Sequence, residues 1–348
     1  MEKLEKINIY VPQNIGVLLE NDVVQFEILK KDGYTVNKNK FLTMLIQGYY
    51  ETYMQEAQNK YKSICGILAD KGLTKETQSE IANEILTKMI LPEVPTRKGK
   101  NPIRLSLKPT KETTPLIKHI LEDLGAEDYI SQFFCRMLMS YSENPFWIRE
   151  HILFKENYEF LAKACEEECP VRFTTIWNVV DMHEVIPYKI VVGQEEMHNY
   201  LLCGEKNKIT GKWEAKSYRL NRINNLRFGN NRIPLSRDVK LNLDKMIYYA
   251  PQHAINQQRE ICIKLSEKGV RLMNRIYRGR PKVERKVTDG NKYYYYFMCS
   301  EEQVFWYFSR FAGKDAEIIY PDDCRNRMIE FHKKTTDVYE RIGNNENN

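Results

Sequence analysis

The sequence predicts an α+β chain built from several domains. Three observations carry that expectation. A strand-helix-helix pattern occupies residues 7–50 and returns at 103–141. Short alternating strands follow between Val171 and Ile223. From Pro251 onward, strands and helices interleave in a βαββαβ order.

The first pattern opens at Ile7-Asn-Ile-Tyr-Val11, a strict apolar/polar alternation that reads as a half-exposed strand. Pro12 ends it. Ile15, Leu18, Leu19, Val23, Phe26 and Leu29 then recur at helical period, with Gly33 as the expected stop. A second helix begins near Asn37 and carries Phe41, Leu45, Ile46 and Tyr49. The same order returns with Ile103-Arg-Leu-Ser-Leu107, Pro109, a helix from Thr113 to Leu124, Gly125 and a helix from about Asp128. Residues 41–49 align with 133–141, which points to internal duplication. Pro95, Gly99 and Pro102 mark a linker before the second copy.

The strand, helix, glycine turn and helix of residues 7–50 resemble a ribbon-helix-helix module. Two copies in one chain can pair their strands into an antiparallel ribbon. Asn8 and Tyr10 would then face outward from one strand, Arg104 and Ser106 from the other. Such a ribbon fits a DNA major groove. The first copy is not basic, however, so a dimerisation or docking module is an equal reading.

The middle of the chain offers strands at Val171–Trp177, Val185–Val192 and Asn199–Cys203. A fourth follows a Gly211 turn, at Lys216–Ile223. Short strands at this spacing suit a small barrel. Asn199-Tyr200-Leu201, Pro187 ahead of it, and Tyr218-Arg219-Leu220-Asn221-Arg222-Ile223 resemble the motifs of the WYL domain family, with asparagine where the family carries tryptophan and aspartate. That resemblance implies an Sm-like β-barrel whose Tyr200, Arg219 and Arg222 line a pocket for nucleic acid or an anionic ligand. On a regular pleat Arg219 and Arg222 point to opposite faces, so both reach one ligand only if a bulge or rim intervenes. Phe305–Gly313 and Glu317–Pro321 resemble the family's C-terminal extension, which implies a ferredoxin-like fold that serves dimerisation.

Charge is unevenly placed on a chain of 348 residues with net charge +6. Lys216, Arg219, Arg222, Arg227, Arg232, Arg237 and Lys240 meet one acid, Asp238. Lys264, Lys268, Arg271, Arg275, Arg278, Arg280, Lys282, Arg285 and Lys286 meet only Glu267 and Glu284. Such runs suit a polyanionic partner, with a solvated basic face as the plain alternative.

No catalytic motif is present: the six histidines form no H-E-x-x-H, and there is no P-loop, G-x-S-x-G or G-x-G-x-x-G. Cys165 and Cys169 are the one close cysteine pair and lack the second pair a zinc site needs. No cofactor is called for. The lack of a long apolar run and of an apolar leader predicts a cytoplasmic protein with no membrane partner.

These readings divide the chain into a ribbon-helix-helix-like region (1–54), a helical linker (55–100) and a second copy (101–144). A WYL domain (145–250), its C-terminal extension (251–342) and a disordered tail (343–348) complete it. The layout is similar to that of the WYL accessory proteins of type VI-D CRISPR systems. The resemblance implies a non-enzymatic homodimer, paired through its C-terminal region, that binds single-stranded RNA and boosts an RNA-guided effector ribonuclease. Lys216 and Arg227 join Tyr200, Arg219 and Arg222 as expected contacts. The rival reading is a ligand-responsive repressor that reads duplex DNA with Asn8, Tyr10, Arg104 and Ser106. A docking scaffold is the third.

Overall fold

A computed structural model describes residues 5–95, 101–124, 130–195, 197–229, 234–256 and 259–345. The architecture is α+β, with antiparallel sheets throughout. The chain divides into two compact units, Met1–Tyr158 and Glu159–Asn348. No described helix is long and apolar enough to cross a membrane.

The first unit is built on a two-stranded ribbon. Strands β1 (Ile7–Val11) and β2 (Ile103–Leu107) pair antiparallel, with Asn8 opposite Ser106 and Tyr10 opposite Arg104. Alternation does the sorting: Ile9, Val11, Leu105 and Leu107 are buried, while Arg104 is exposed and Asn8, Tyr10 and Ser106 are half-buried. The Ser106 hydroxyl donates to Asn8 Oδ1 at 3.1 Å.

Helices α1 (Gln13–Gln25), α2 (Lys38–Ala69), α3 (Lys75–Ile85), α4 (Thr114–Leu124), α5 (Ile130–Glu143) and α6 (Phe146–Leu153) complete the unit. Helix α1 ends well before Gly33, contrary to the periodic reading. Glu27 turns to φ 55°, and Leu29 bridges Val36 around a turn in which Gly33 takes φ 76°. The Asp32 carboxylate holds that turn by accepting from the N–H groups of Tyr34 and Thr35 at 2.9 and 2.8 Å, a local alternative to helix. The Thr35 N–H and side chain, and then the Tyr34 N–H, lower its pKa to about 2.

Asn37 starts α2 as expected, its side chain accepting from the Lys40 N–H. Its neighbour Asn39 ties the helix to the ribbon, exchanging two hydrogen bonds with the Lys108 backbone. The expected stop at Gly125 and start near Asp128 lie outside the described residues, as does Gly99.

The aligned stretches of α2 and α5 bury matching positions: Leu42 and Phe134, Leu45 and Met137, Ile46 and Leu138, Tyr49 and Tyr141. The two tyrosine rings meet edge-on, 6.3 Å apart. One core therefore serves both segments. A buried carboxylate crosses it. Asp22 of α1 is 2% exposed and takes a bidentate fork from Arg149 of α6, at 2.8 and 3.0 Å, plus the Tyr141 hydroxyl at 3.0 Å. Helix α6, assigned by sequence to the following domain, thus packs into this unit's core.

Helix α7 (Lys155–Glu166) contains the division point. The second unit begins with a five-stranded sheet in the order β6-β5-β4-β3-β7, from β3 (Val171–Thr175), β4 (Asn178–Val192), β5 (Asn199–Lys206), β6 (Trp213–Arg219) and β7 (Ile223–Phe228). Sequence reading had one strand where β6 and β7 lie; the Leu220–Arg222 3-10 turn divides them. Strand β4 pairs with β3 through its first half and β5 through its second. The ladder shifts after Pro187, which has no N–H to donate, and the long strand bends there. Gly211, at φ 69°, closes the β5–β6 hairpin.

Strands β6 and β7 are the two edges of that sheet, yet one short turn joins them. Four steps of 3-10 backbone cover about 8 Å. The edges of a flat five-stranded sheet stand about 19 Å apart. The sheet must therefore curl until its edges approach. Helix α8 (Arg237–Tyr249) packs on one face over Leu202 and Ala215.

The remainder is a four-stranded sheet in the order β11-β8-β10-β9, from β8 (Ile261–Leu265), β9 (Arg285–Asp289), β10 (Lys292–Phe297) and β11 (Ala316–Tyr320). Helices α9 (Glu267–Arg275) and α10 (Glu301–Phe308) complete the βαββαβ order, with α11 (Asp322–Asn345) after it. Strand β9 carries no apolar alternation that could announce it, being exposed at every residue. Helix α11 continues through Gly343 to Asn345, into the segment read as a tail.

Replacing Arg149 by Met leaves Asp22 buried without its cation. The expected loss is about 3–5 kcal/mol by urea unfolding. A second replacement, Asp22→Leu, should return most of it, because removing both charges is far cheaper than removing one.

Candidate nucleic-acid interface

The Leu220–Arg222 turn supplies the rim that the sequence required. It breaks the pleat between Arg219 and Arg222, so both line one cleft of about 370 Å³ with Thr175, Trp177, Tyr200 and Gln252. The turn is tied down by the Ile176 N–H, which donates to the Arg222 carbonyl at 3.0 Å.

Tyr200 stands directly across from Arg219 in the β5–β6 ladder. Its hydroxyl accepts from Arg219 Nε at 3.1 Å, and the guanidinium carbon sits 5.9 Å from the ring centroid. The ring itself is 3% exposed. It therefore has no open face on which a base could stack. It works instead as a post that aims Arg219. Gly193 makes room for it: a Cβ there would fall 2.9 Å from Tyr200 Cε2.

The open ring of the cleft is Trp177, 59% exposed at the end of β3's chain segment. Sequence reading placed Trp177 in a strand and gave it no function. The available signal was a tryptophan beside Asn178, where a strand gives way to a turn. Gln252 and His253 also line the cleft, from the segment after α8. They lie far from the motif in sequence and carry no local signature.

Two expected contacts are not gathered here. Lys216 belongs with Glu214, its ion-pair partner at 3.6 Å, and is not among the cleft's lining residues. Arg227 is exposed on β7 opposite Arg172, also away from the cleft. Arg232 lies outside the described residues. Asn8, Tyr10, Arg104 and Ser106 form one ribbon face in the other unit. Asn199 and Asn221 are 2% and 3% exposed and do not line the cleft.

Behind the cleft a polar cluster stiffens the sheet. The Tyr218 hydroxyl donates to Glu205 at 2.6 Å and lies 3.0 Å from His183 Nδ1, which is 2.7 Å from Glu205. Burial, with the nearby Cys203 and Glu205, holds the Tyr218 phenol far above its ordinary pKa, so it stays a donor. His183 of β4 is thus a partner of Glu205 on β5. The arrangement presents two arginine forks and an exposed indole, a pairing suited to a phosphate and an attached flat ring.

Gly193→Ala should press a methyl into the Tyr200 ring. Overpacking of this kind costs about 1–3 kcal/mol. Urea unfolding should show the loss, and Tyr200→Leu in the same chain should relieve it.

Comparison with known proteins gives the fold but no family. No family model and no curated protein matches the chain. Among solved structures, one described as "Crystal structure of a CRISPR Cas-related protein" matches with a TM-score of 0.68 at 19% identity, over 98% of this chain and 96% of that one. Proteasome accessory factor B/C of Arthrobacter aurescens matches with a TM-score of 0.26 at 15% identity, over 50% of this chain and 26% of that one. The chain therefore shares the fold of the first across nearly its whole length.

Proposed function

We propose that this chain is a non-enzymatic accessory protein that binds single-stranded RNA and enhances the RNA-guided, RNA-cleaving effector of a type VI-D CRISPR system. The observation that carries the RNA half is the convergence of Arg219, Arg222 and the exposed Trp177 on one cleft. Arginine forks take phosphates, and an exposed ring takes a base of any sequence. The CRISPR half rests on fold: the solved neighbour that spans the chain is itself described as Cas-related.

In this reading the first unit is a duplicated ribbon-helix-helix, the curled sheet an Sm-like WYL barrel, and the last sheet a ferredoxin-like extension. Helix α11 exposes Ile329, Val338 and Tyr339, apolar surface that suits pairing with a second copy. A dimer would carry two RNA sites and concentrate RNA at the effector ribonuclease. The protein does no chemistry in this scheme; it supplies affinity.

One observation favours a second reading. The ribbon turns Tyr10 and exposed Arg104 outward as a directly opposed pair, as a duplex-DNA reader requires. The same proteins would then be ligand-responsive transcriptional regulators.

Fluorescence anisotropy with single-stranded RNA, single-stranded DNA and duplex DNA of one sequence separates the two. Arg219→Ala/Arg222→Ala should weaken RNA binding by about 10- to 100-fold and lower the salt slope by about 1.4. Tyr10→Ala/Arg104→Ala should leave RNA binding unchanged. A preference for duplex that disappears with Tyr10 and Arg104 would move the function to DNA. Effector cleavage of target RNA should rise when the wild-type chain is added and not when the arginine variant is.

A further inference from the structure

A second and larger cleft, of about 1050 Å³, lies in the same unit, lined by α8, the turn after β4, and the segment from Met273 to Lys286. Its rings are open. Tyr277 is 74% exposed and Tyr248 is 55% exposed. Burial places tyrosine with its ring covered far more often than it leaves two rings facing one cleft.

Its charges are also unusual for this region. Three cations of the second basic run are matched by acids distant in sequence: Lys264 by Glu317, Lys268 by Asp315 and Arg285 by Glu260, each at 2.8 Å. Arg271 lies near Glu267. Arg280, Lys282 and Lys286 line the cleft, and none of them makes an ion pair among the described residues. Lys282 Nζ sits 3.4 Å from the centroid of Tyr248, and Lys286 Nζ 5.0 Å from that of Tyr295. The two lining carboxylates are held to the wall. Asp244 accepts from the Tyr188 hydroxyl at 2.8 Å, and Glu195 accepts from the Gly279 N–H. Arg280 also donates to the Met273 carbonyl at 3.4 Å, which leaves its charge uncompensated. Three cations without a carboxylate partner among the described residues, beside two exposed rings, make a surface for phosphates and bases together.

Two further groups are short of a partner. Gln303, 5% exposed, donates from Nε2 to the Gly279 carbonyl at 3.4 Å, while its Oε1 accepts nothing. Gln252 Oε1 likewise accepts nothing. A base N–H is a donor of the right kind, reached by rotation of either amide. Gln252 lines both this cleft and the Arg219–Arg222 cleft. The two are therefore neighbours that share a wall.

We propose that the second cleft continues the first as one track for a single RNA strand. A nucleotide held by Arg219 and Arg222 lets the strand pass Gln252. Its next phosphates then meet Arg280, Lys282 and Lys286, and its next bases stack on Tyr248 and Tyr277. This rests on the RNA-binding reading above and adds a length requirement to it. The small cleft accepts about one nucleotide unit; the larger one needs a longer strand to fill it.

The test compares labelled oligouridines of about 4 and about 16 nucleotides. Proteins are wild type, Arg219→Ala/Arg222→Ala, and Tyr277→Ala/Lys282→Ala/Lys286→Ala. Wild type should bind the long strand at least about 10-fold more tightly than the short one. The cleft variant should lose about 10- to 100-fold on the long strand and under about 3-fold on the short one. Lys282→Glu/Lys286→Glu, which leaves every ring in place, should lose at least as much as the cleft variant. Circular dichroism should show each variant folded, since Tyr277 is 74% exposed and contributes little packing. If only the arginine variant loses affinity, the track is wrong and the small RNA site stands. Equal loss on both strands would make the larger cleft the primary site and overturn the continuation. If wild type binds neither strand, both readings fail together.

Discussion

Leu220–Arg222 joins two strands that lie at opposite edges of a five-stranded sheet, and that connection constrains everything around it. A turn so short cannot reach across a flat sheet, so the sheet curls. Curling needs a strand able to serve both halves, and β4 does so by bending after Pro187, where the backbone has no hydrogen to give. It also needs an end for the pleat, and the turn provides it. Arg219 is the last residue before the turn and Arg222 the last within it, so the alternation that would have parted them never operates. The closure of the sheet and the assembly of the cleft are one event.

The cleft is then shaped by what the sheet already buries. Tyr200 is buried, wedged beside Gly193, and its hydroxyl and ring both meet the Arg219 guanidinium. A hydroxyl acceptor on the guanidinium restrains its rotation without neutralising it. Less entropy remains to be lost when an anion binds. Behind it, Glu205 joins Tyr218 to His183, so the wall of the cleft is hydrogen-bonded.

Charge is sorted by the fold in a similar way. Read along the chain, residues 264–286 are a basic run opposed by two acids. In space, Glu317, Asp315 and Glu260 come from elsewhere and neutralise Lys264, Lys268 and Arg285. Exposed pairs like these add little stability, but they redistribute potential. Arg280, Lys282 and Lys286, which line the larger cleft, are left without a carboxylate partner among the described residues. In the first unit the same sorting occurs with one pair. The Arg149 fork on Asp22 allows a carboxylate inside a core otherwise closed by Tyr49, Tyr141 and their neighbours, and it draws α6 into that core.

The sequence by itself determined the periodic features. Period-2 alternation gave β1, β2 and their inward faces; helical period gave α4 and the start of α2. These are legible because a pleat and a helix repeat over a few neighbouring residues. Strand β9, the early end of α1 and the division of β6 from β7 were not legible. Each depends on a partner supplied from outside its own window: the β10 ladder, the hydrogen bonds of the Asp32 turn, the far edge of the sheet. Only the tertiary structure decided which ring is open, Trp177 rather than Tyr200, and which cations stand together. Burial and Coulomb attraction act through space, over residues such as Gln252 and Arg222 that the chain order keeps apart.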